Sequence, residues 1–170
     1  MNDGNGKTAD GTGAQIFSPP NTVRKKVTGS GGPTPEMLAK ADAAIKKMTE
    51  DYPSWAINEV DRLGELIQSE ADDQTRDQER LKEAYKLSHD MRGQGGSFGY
   101  PMITGVAGSF CNFVNSLDAI DGKAVDILQA HVKAMRAVLQ NRIAGDGGPI
   151  GAKILDGLNK AVAKYAASKG

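Results

Sequence analysis

The chain is poor in the residues that build most metal and redox centres. Its 170 residues include one cysteine and two histidines. One cysteine cannot form an intrachain disulfide, and one cysteine with two histidines is too few for the four ligands of a structural zinc site. A single cysteine also fits a reducing compartment. No apolar run approaches the roughly 18 residues of a membrane span, and the N-terminal stretch lacks the apolar core of a signal peptide. We therefore expect a cytoplasmic protein without a membrane partner.

The chain also lacks an excess of either charge. Lysine plus arginine and aspartate plus glutamate are both 21, so the formal net charge is zero. A chain without an overall positive field does not recruit a phosphate backbone, so nucleic acid is not expected as a partner. The length is sufficient for one domain with a real core.

Residues 1–33 are predicted to form a flexible N-terminal arm in front of a helical domain over 34–170. Residues 1–13 are rich in Gly, Asn, Asp and Thr without apolar periodicity, a composition typical of disorder. Residues 14–33 mix apolar and basic side chains and end in a Gly/Pro break. They are either an extended arm laid on the domain, which we favour, or a docking motif for a partner.

From Thr34 onward, apolar residues recur at intervals of three and four, which predicts helices throughout. Thr34 is a good N-cap and Pro35 suits the first helical position. Pro53 is predicted to open a second helix, and the helix that follows the turn Asp118–Gly122 is predicted to end near Gly145. No alternating strand pattern occurs. Because short loops favour antiparallel neighbours, we predict an all-α, antiparallel up-and-down four-helix bundle with additional helices.

The helix predicted over about 74–97 leads into the most unusual sequence of the chain, LSHDMRGQGGSFGY at 87–100. His89 is followed three and four positions later by Arg92 and Gly93, and then by Gly96. Residues at these intervals lie on one face of a helix. Each glycine inside a helix costs about 0.5–1 kcal/mol relative to alanine. Several of them beside a histidine indicate that something large approaches the imidazole.

If the apolar residues of this helix face the core, His89 faces solvent. The cations Lys82, Lys86 and Arg92 then lie on the same side of the helix as His89. An imidazole is a competent nucleophile near pH 7, and cations stabilise a phosphoryl group in transfer. No carboxylate shares this face, since Asp90 points about 100° away, which weakens a hydrolase interpretation.

The glycine run has two other interpretations. A phosphate-binding P-loop is excluded, because the helix precedes the glycines and no Lys-Ser/Thr pair follows them. A helix C-cap and turn before Pro101 would account for Gly99 and in part for Gly95 and Gly96. It would not account for Gly93 or for the register of Gly93 with the histidine.

The pattern H-D-x-R-G-x-x-G-x-x-G closely resembles the phosphorylation motif of histidine phosphotransfer (HPt) domains. In that family the histidine is followed by a variable pair, Lys, Gly, two small residues, and a Gly ten positions after the His. The matching residues in this chain are His89, Arg92, Gly93, Gln94, Gly95 and Gly99. The helical prediction over roughly 35–145 agrees with the family fold. Two positions depart from the pattern: Arg92 replaces the usual Lys, and Gln94 stands where a small residue is common.

The resemblance implies a phosphocarrier without autokinase activity. His89 would take a phosphoryl group on Nε2 from an aspartate of a response-regulator receiver domain and pass it to another receiver, and a hybrid histidine kinase is a further partner. The receiver and its Mg²⁺ would supply most of the catalysis, so we expect a monomer with no cofactor or metal of its own. Arg92 would assist His89, and the phosphoryl group and receiver would dock on Lys82, Lys86, Gly93, Gln94 and Gly96.

Two alternatives remain at this point. The first is a helical adaptor that docks on a receiver or kinase without carrying phosphate. The second is a general helical scaffold in which the glycines only let helices approach each other. The presence of His89 and of a cation at Arg92 favours the phosphocarrier, because an adaptor has no need of the histidine.

Other conspicuous residues are predicted to be structural. His131 falls in an apolar stripe, which favours a hydrogen-bonded interior histidine over a partner of His89. Cys111 is predicted to be a small buried core residue. Tyr52 and Trp55 fit either core packing at the bundle end or surface anchors for a partner.

Overall fold

The computed structural model describes residues 32–68 and 74–169, and this part of the chain contains helices and no strands. The helices are α1 Pro35–Gln68, α2 Gln74–Ser97, α3 Pro101–Asn115, α4 Gly122–Gln140 and α5 Gly148–Ala167. The predicted all-α class is therefore confirmed there, whereas nearly all of the predicted arm, 1–33, lies outside the described residues. None of the described helices has the length and apolar content to cross a membrane.

The chain divides into two units, Met1–Leu38 and Ala39–Gly170. The described part of the first unit is residues 32–38, where α1 begins. The backbone N–H of Met37 donates to Thr34 Oγ1 at 3.2 Å, and Pro35 is the first helical residue. Thr34 is thus the N-cap that the sequence predicts. The remaining description concerns the second unit.

Two predicted helix boundaries are wrong. Pro53 does not start a helix but lies inside α1. A proline inside a helix costs about 3 kcal/mol, and the burial of Tyr52, Pro53 and Ala56 offsets this cost. The second error is at the end of α4, which stops at Gln140 instead of near Gly145. Arg142 adopts a left-handed backbone conformation, with φ 49°, which ends the helical path.

The core forms around α3, which contacts α2, α4 and α5. The buried side chains of α3 are Met102, Ile103, Val106, Ala107, Phe110, Cys111, Phe113 and Val114. Polar contacts join α1 to two other helices. The guanidinium of Arg80 on α2 donates to the carbonyl of Leu66 at 2.6 and 2.9 Å, and Arg136 on α4 pairs with Asp61 at 2.6 Å. Buried side chains from all five helices form one hydrophobic core.

The buried face of α2 includes a polar residue that its apolar periodicity does not mark. The sequence favours Leu87 as a core residue, but Leu87 is only half-buried, and Ser88 is completely buried. The Ser88 hydroxyl donates to the carbonyl of Tyr85 at 2.9 Å and lies 3.0 Å from Cys111 Sγ. These partners allow a polar side chain to occupy a core position. Since His89 follows Ser88 directly, this register places the histidine at the surface.

The apolar side chains near the start of α1 are exposed. Within the second unit, Ile45 is 59% exposed and Met48 is 55% exposed. The apolar spacing of this stretch therefore does not mark a buried face. The core side of α1 starts at Tyr52 and continues through Ala56, Val60, Leu63 and Ile67.

Candidate functional site

His89 lies exposed on α2 between two side chains one turn away on either side. The ring of Tyr85 has its centroid 5.7 Å from the His89 ring, and Arg92 Nη2 lies 3.3 Å from His89 Nδ1. A guanidinium can only donate, so Nδ1 is the acceptor in this contact. The neutral ring therefore carries its proton on Nε2 while Arg92 occupies Nδ1.

The stem of Arg92 lies against α3 at Gly108. A Cβ atom at Gly108 would come 3.4 Å from Arg92 Cδ, so the two groups are already in close packing distance. The Arg92 stem thus passes over Gly108 of α3, where a Cβ atom would make an ordinary contact, while its guanidinium reaches back to His89. Gly108 is not among the residues predicted for the site, because a glycine within an apolar helix gives no sign of which neighbour it faces.

Thr104 of α3 is a second residue of the site that the sequence analysis missed. Its hydroxyl donates to the carbonyl of Arg92 at 3.0 Å and accepts the N–H of Gly96 at 2.8 Å. In a regular helix, the N–H of residue 96 would donate directly to the carbonyl of residue 92. The Thr104 hydroxyl therefore stands within the hydrogen-bond ladder of α2, one turn after His89, and fixes the backbone that carries Arg92.

Two glycines of the run have structural roles, one in the packing of α2 against α3 and one at the end of α2. Gly95 is buried, and a Cβ atom there would lie 2.9 Å from both the Thr104 nitrogen and the Tyr100 carbonyl oxygen. Gly99 has φ 79° and follows the end of the helix, as a C-cap glycine does. Helix-to-helix approach thus accounts for Gly95, and chain reversal accounts for Gly99.

The two glycines predicted to form a docking surface have a different environment. Gly93 is exposed, and a Cβ atom there would have nothing within 4 Å. Gly96 is also exposed, and a Cβ atom there would make only an ordinary contact of 3.5 Å with Thr104 Oγ1. Packing in the described part of the chain therefore does not explain why residue 93 is glycine.

The remaining predicted site residues lie on the same helix. Lys82 and Lys86 are exposed, and neither has an ion-pair partner among residues 32–68 and 74–169. Gln94 is half-buried, and its backbone carbonyl accepts the N–H of Phe98 at 3.1 Å. Arg92 thus contacts His89, and the two lysines are exposed cations on the same helix.

The predictions for His131 and Cys111 are confirmed. His131 is completely buried, with Nδ1 at 2.8 Å from the Ile127 carbonyl and Nε2 at 3.0 Å from Ser109 Oγ. Burial lowers the pKa of His131, in opposition to its backbone hydrogen bond. Cys111 is also buried. Both side chains are therefore structural.

Tyr52 and Trp55 pack near the end of α2. The Tyr52 ring stacks on Phe98 at 4.9 Å, and the Trp55 ring meets Phe98 edge-on at 5.7 Å. Tyr52 is completely buried, and burial, followed by the neighbouring Tyr100, raises its pKa to about 12. Core packing is therefore the role of Tyr52, whereas Trp55 remains partly exposed.

No group of His, Cys, Asp and Glu in the described ranges is arranged to hold a metal ion. Comparison of the chain with protein-family models, with curated proteins and with solved structures found no match. The chemistry of the site therefore rests on its own residues.

Proposed function

We propose that this protein is a histidine phosphotransfer protein of a phosphorelay. His89 accepts a phosphoryl group from an aspartyl phosphate of a receiver domain and passes it to another receiver. The observation that carries the proposal is an exposed imidazole in contact with Arg92, beside a glycine that no internal packing requires. The fold proposed with it is an antiparallel four-helix bundle of α1 to α4, with α5 as the additional helix.

The transfer step follows from the contacts of the imidazole. The lone pair of Nε2 attacks phosphorus, the N–P bond forms, and the bond to the aspartate oxygen breaks, with its electron pair remaining on the carboxylate. For Nε2 to attack, the ring proton must reside on Nδ1. Arg92 must therefore leave Nδ1, and its guanidinium is then free to bind the phosphoryl oxygens.

The same residues support the onward transfer. The receiver contributes its aspartate and its Mg²⁺, so this chain has to hold the phosphoryl group without hydrolysing it. No carboxylate contacts the His89 ring among the described residues, so no group is placed to activate water beside it. A carrier, which must return its phosphoryl group intact, benefits from that arrangement.

The test is transfer from a phosphorylated receiver domain to the purified chain. We expect an acid-labile, alkali-stable label on the wild type and none on His89→Gln. Because His89 is exposed, His89→Gln should change the free energy of unfolding by no more than about 0.5 kcal/mol. Undiminished label on that variant would contradict the proposal. Receiver binding without any label on the wild type would instead favour the adaptor.

A further inference from the structure

Two residues of α3, Thr104 and Gly108, contact Arg92 from one side. They are four positions apart, so they lie on the same face of α3. The Thr104 hydroxyl donates to the backbone carbonyl of Arg92 at 3.0 Å. A Cβ atom at Gly108 would lie 3.4 Å from Cδ and 3.9 Å from Cγ of Arg92, so the aliphatic stem lies against this part of α3. The helix α3 therefore contacts Arg92 at its backbone and along its stem, and the guanidinium extends beyond it to His89.

The Thr104 contact is unusual because it enters the backbone of another helix. A threonine inside a helix commonly donates to the carbonyl four positions earlier in its own helix, as Thr49 does to Ile45 at 3.1 Å. Thr104 instead donates to Arg92 of α2 and accepts the N–H of Gly96 at 2.8 Å. These two backbone groups are the pair that a regular helix joins directly. The orientation of the Arg92 peptide, and with it the direction in which the side chain leaves α2, therefore depends on a hydroxyl of α3.

The guanidinium of Arg92 has one hydrogen-bond partner among the described residues, Nδ1 of His89 at 3.3 Å. No carboxylate in the described ranges forms an ion pair with it. A long side chain at the surface loses rotamer freedom when it is held in one geometry, which is why most surface pairs are weak. Contacts that already restrict the backbone and the stem reduce that loss. The occupancy of Nδ1 by the guanidinium should therefore depend on the two contacts with α3.

We propose that Thr104 is a positioning residue, which keeps the guanidinium of Arg92 at Nδ1 of His89 and thereby keeps the proton of the resting ring on Nε2. The inference rests on the proposed function and adds a regulation of the same site. A ring with its proton on Nε2 has no lone pair there to attack phosphorus. An arriving phosphoryl group competes for the guanidinium through its anionic oxygens. When Arg92 moves to them, Nε2 gives its proton to water and Nδ1 takes one from water, so the ring becomes nucleophilic only when its substrate is present.

The experiment measures the position of the ring proton by nuclear magnetic resonance. In protein labelled with nitrogen-15 in its histidine rings, the shifts of the two ring nitrogens report which one carries the proton. The spectra are recorded at about pH 8, above the ordinary pKa of histidine. His89→Gln identifies the signals of His89, and the buried His131, whose Nδ1 faces the Ile127 carbonyl, is an internal reference. The variants are Thr104→Val, which removes the hydroxyl with little change of shape, and Thr104→Ser, which retains it.

We expect Thr104→Val to raise the fraction of His89 that has its proton on Nδ1 by about twofold or more, since the hydrogen bond from Arg92 is weakened. Thr104→Ser should keep the wild-type fraction. Thr49→Val, the same substitution at the threonine that bonds within α1, should leave the fraction unchanged. Gly108→Val tests the stem contact separately, because its methyl groups would meet the Arg92 stem and displace it. It should shift the proton in the same direction as Thr104→Val.

Arg92→Ala shows whether Thr104 acts through Arg92. This variant should raise the same fraction, and the addition of Thr104→Val to it should change nothing further, because a positioning residue has no effect without the group that it positions. In transfer from a phosphorylated receiver domain, Thr104→Val should lower the rate at saturation by about tenfold, since a misplaced guanidinium stabilises the phosphoryl group less well. The receiver concentration at half-maximal rate should remain close to that of the wild type.

Failure of this inference is distinguishable from failure of the proposed function. An unchanged proton position in folded Thr104→Val would overturn the inference and leave His89 as a phosphocarrier, and Gly108→Val decides in the same way if Thr104→Val does not fold. A shift that Thr104→Val still produces in the Arg92→Ala background would also overturn it, because Thr104 would then act by another route. A shift in a chain that no receiver labels would support the positioning role and overturn the phosphocarrier. Circular dichroism establishes that each variant is folded.

Discussion

Ser109 holds one hydroxyl proton between two acceptors. It donates to Asn159 Oδ1 at 2.8 Å and lies 3.0 Å from Nε2 of His131. Because Nδ1 of His131 faces a carbonyl, Nδ1 carries a proton, and Nε2 of the neutral ring can only accept. The Ser109 hydroxyl is therefore the donor within reach of both Nε2 and Asn159 Oδ1. Protonation of His131 would make Nε2 a donor to Ser109 Oγ and leave the hydroxyl proton to Asn159 Oδ1.

Stability should therefore depend on the protonation of His131. Its pKa is lowered by burial, so near and below about pH 6.5 the unfolded chain binds a proton that the folded chain does not. The free energy of unfolding should fall as the pH is lowered from about 6.5 toward the folded-state pKa. Urea unfolding between about pH 5 and 7.5 measures this. His89→Gln should retain the slope, and a flat profile in the wild type would exclude His131 as its source.

The residues around His89 show what a single sequence can provide. Helical periodicity places His89 on the solvent side and Arg92 one turn away, and the contact of 3.3 Å agrees with that spacing. Thr104 and Gly108 come from α3, and periodicity along one helix does not say which residues of another helix it meets. The burial of Ser88 is not predicted, because a polar side chain is expected at the surface. Its hydrogen-bond partners, Tyr85 and Cys111, are known only from the structure.

At the scale of the element, α2 combines three uses of glycine within one run. Gly93 is open to solvent, Gly95 admits α3, and Gly99 reverses the chain. The bounds of α2, Gln74–Ser97, agree with the helix that the sequence predicts over about 74–97. The continuity of α1 through Pro53 does not follow from sequence, because the burial around Pro53 that offsets its cost is a property of the assembled core.

Alanine at two positions of this run should have opposite effects on stability. Gly93→Ala should stabilise the fold by up to about 1 kcal/mol, since alanine is the better helix former and its Cβ meets nothing. Gly95→Ala should destabilise it by about 1–3 kcal/mol, because its Cβ would overlap backbone atoms of residues 100 and 104.

Urea unfolding of both variants tests this pair. A further substitution, Gly93→Leu, should unfold no more readily than the wild type and yet lose receiver-dependent labelling. Loss of stability in Gly93→Leu would mean that residue 93 packs within the protein and is not part of a docking surface.

At the scale of the whole second unit, Asp121 joins the start of α4 to the end of α5. Its Oδ1 accepts the N–H of Ala124 at 2.8 Å, and its Oδ2 accepts from Tyr165 at 3.1 Å and pairs with Lys169 at 3.0 Å. The backbone hydrogen bond and then Lys169 hold the pKa of Asp121 below its usual value. The meeting of residues 121, 165 and 169 depends on the assembled helices and does not follow from the sequence.

Two replacements of Asp121 should distinguish the contribution of the N-cap to the free energy of unfolding from that of the ion pair. Asp121→Ala should lower the free energy of unfolding by about 1 kcal/mol, as loss of an N-cap does. Asp121→Asn keeps an N-cap acceptor, loses the exposed ion pair and can donate to the Tyr165 oxygen instead of accepting from it, so it should cost distinctly less. Chemical unfolding at neutral pH compares the two variants, and equal losses would show that the charge matters more than the cap.

Trp55 gives the molecule an intrinsic fluorophore at an informative place. It is the sole tryptophan of the chain, 37% exposed, and meets Phe98 edge-on where the glycine run of α2 ends. Indole emission depends on the polarity around the ring, so excitation of this one residue reports on the solvent at that end of α2. Binding there can thus be followed by emission wavelength on unlabelled protein, and an unchanged emission would mean that a bound partner does not contact the C-terminal end of α2.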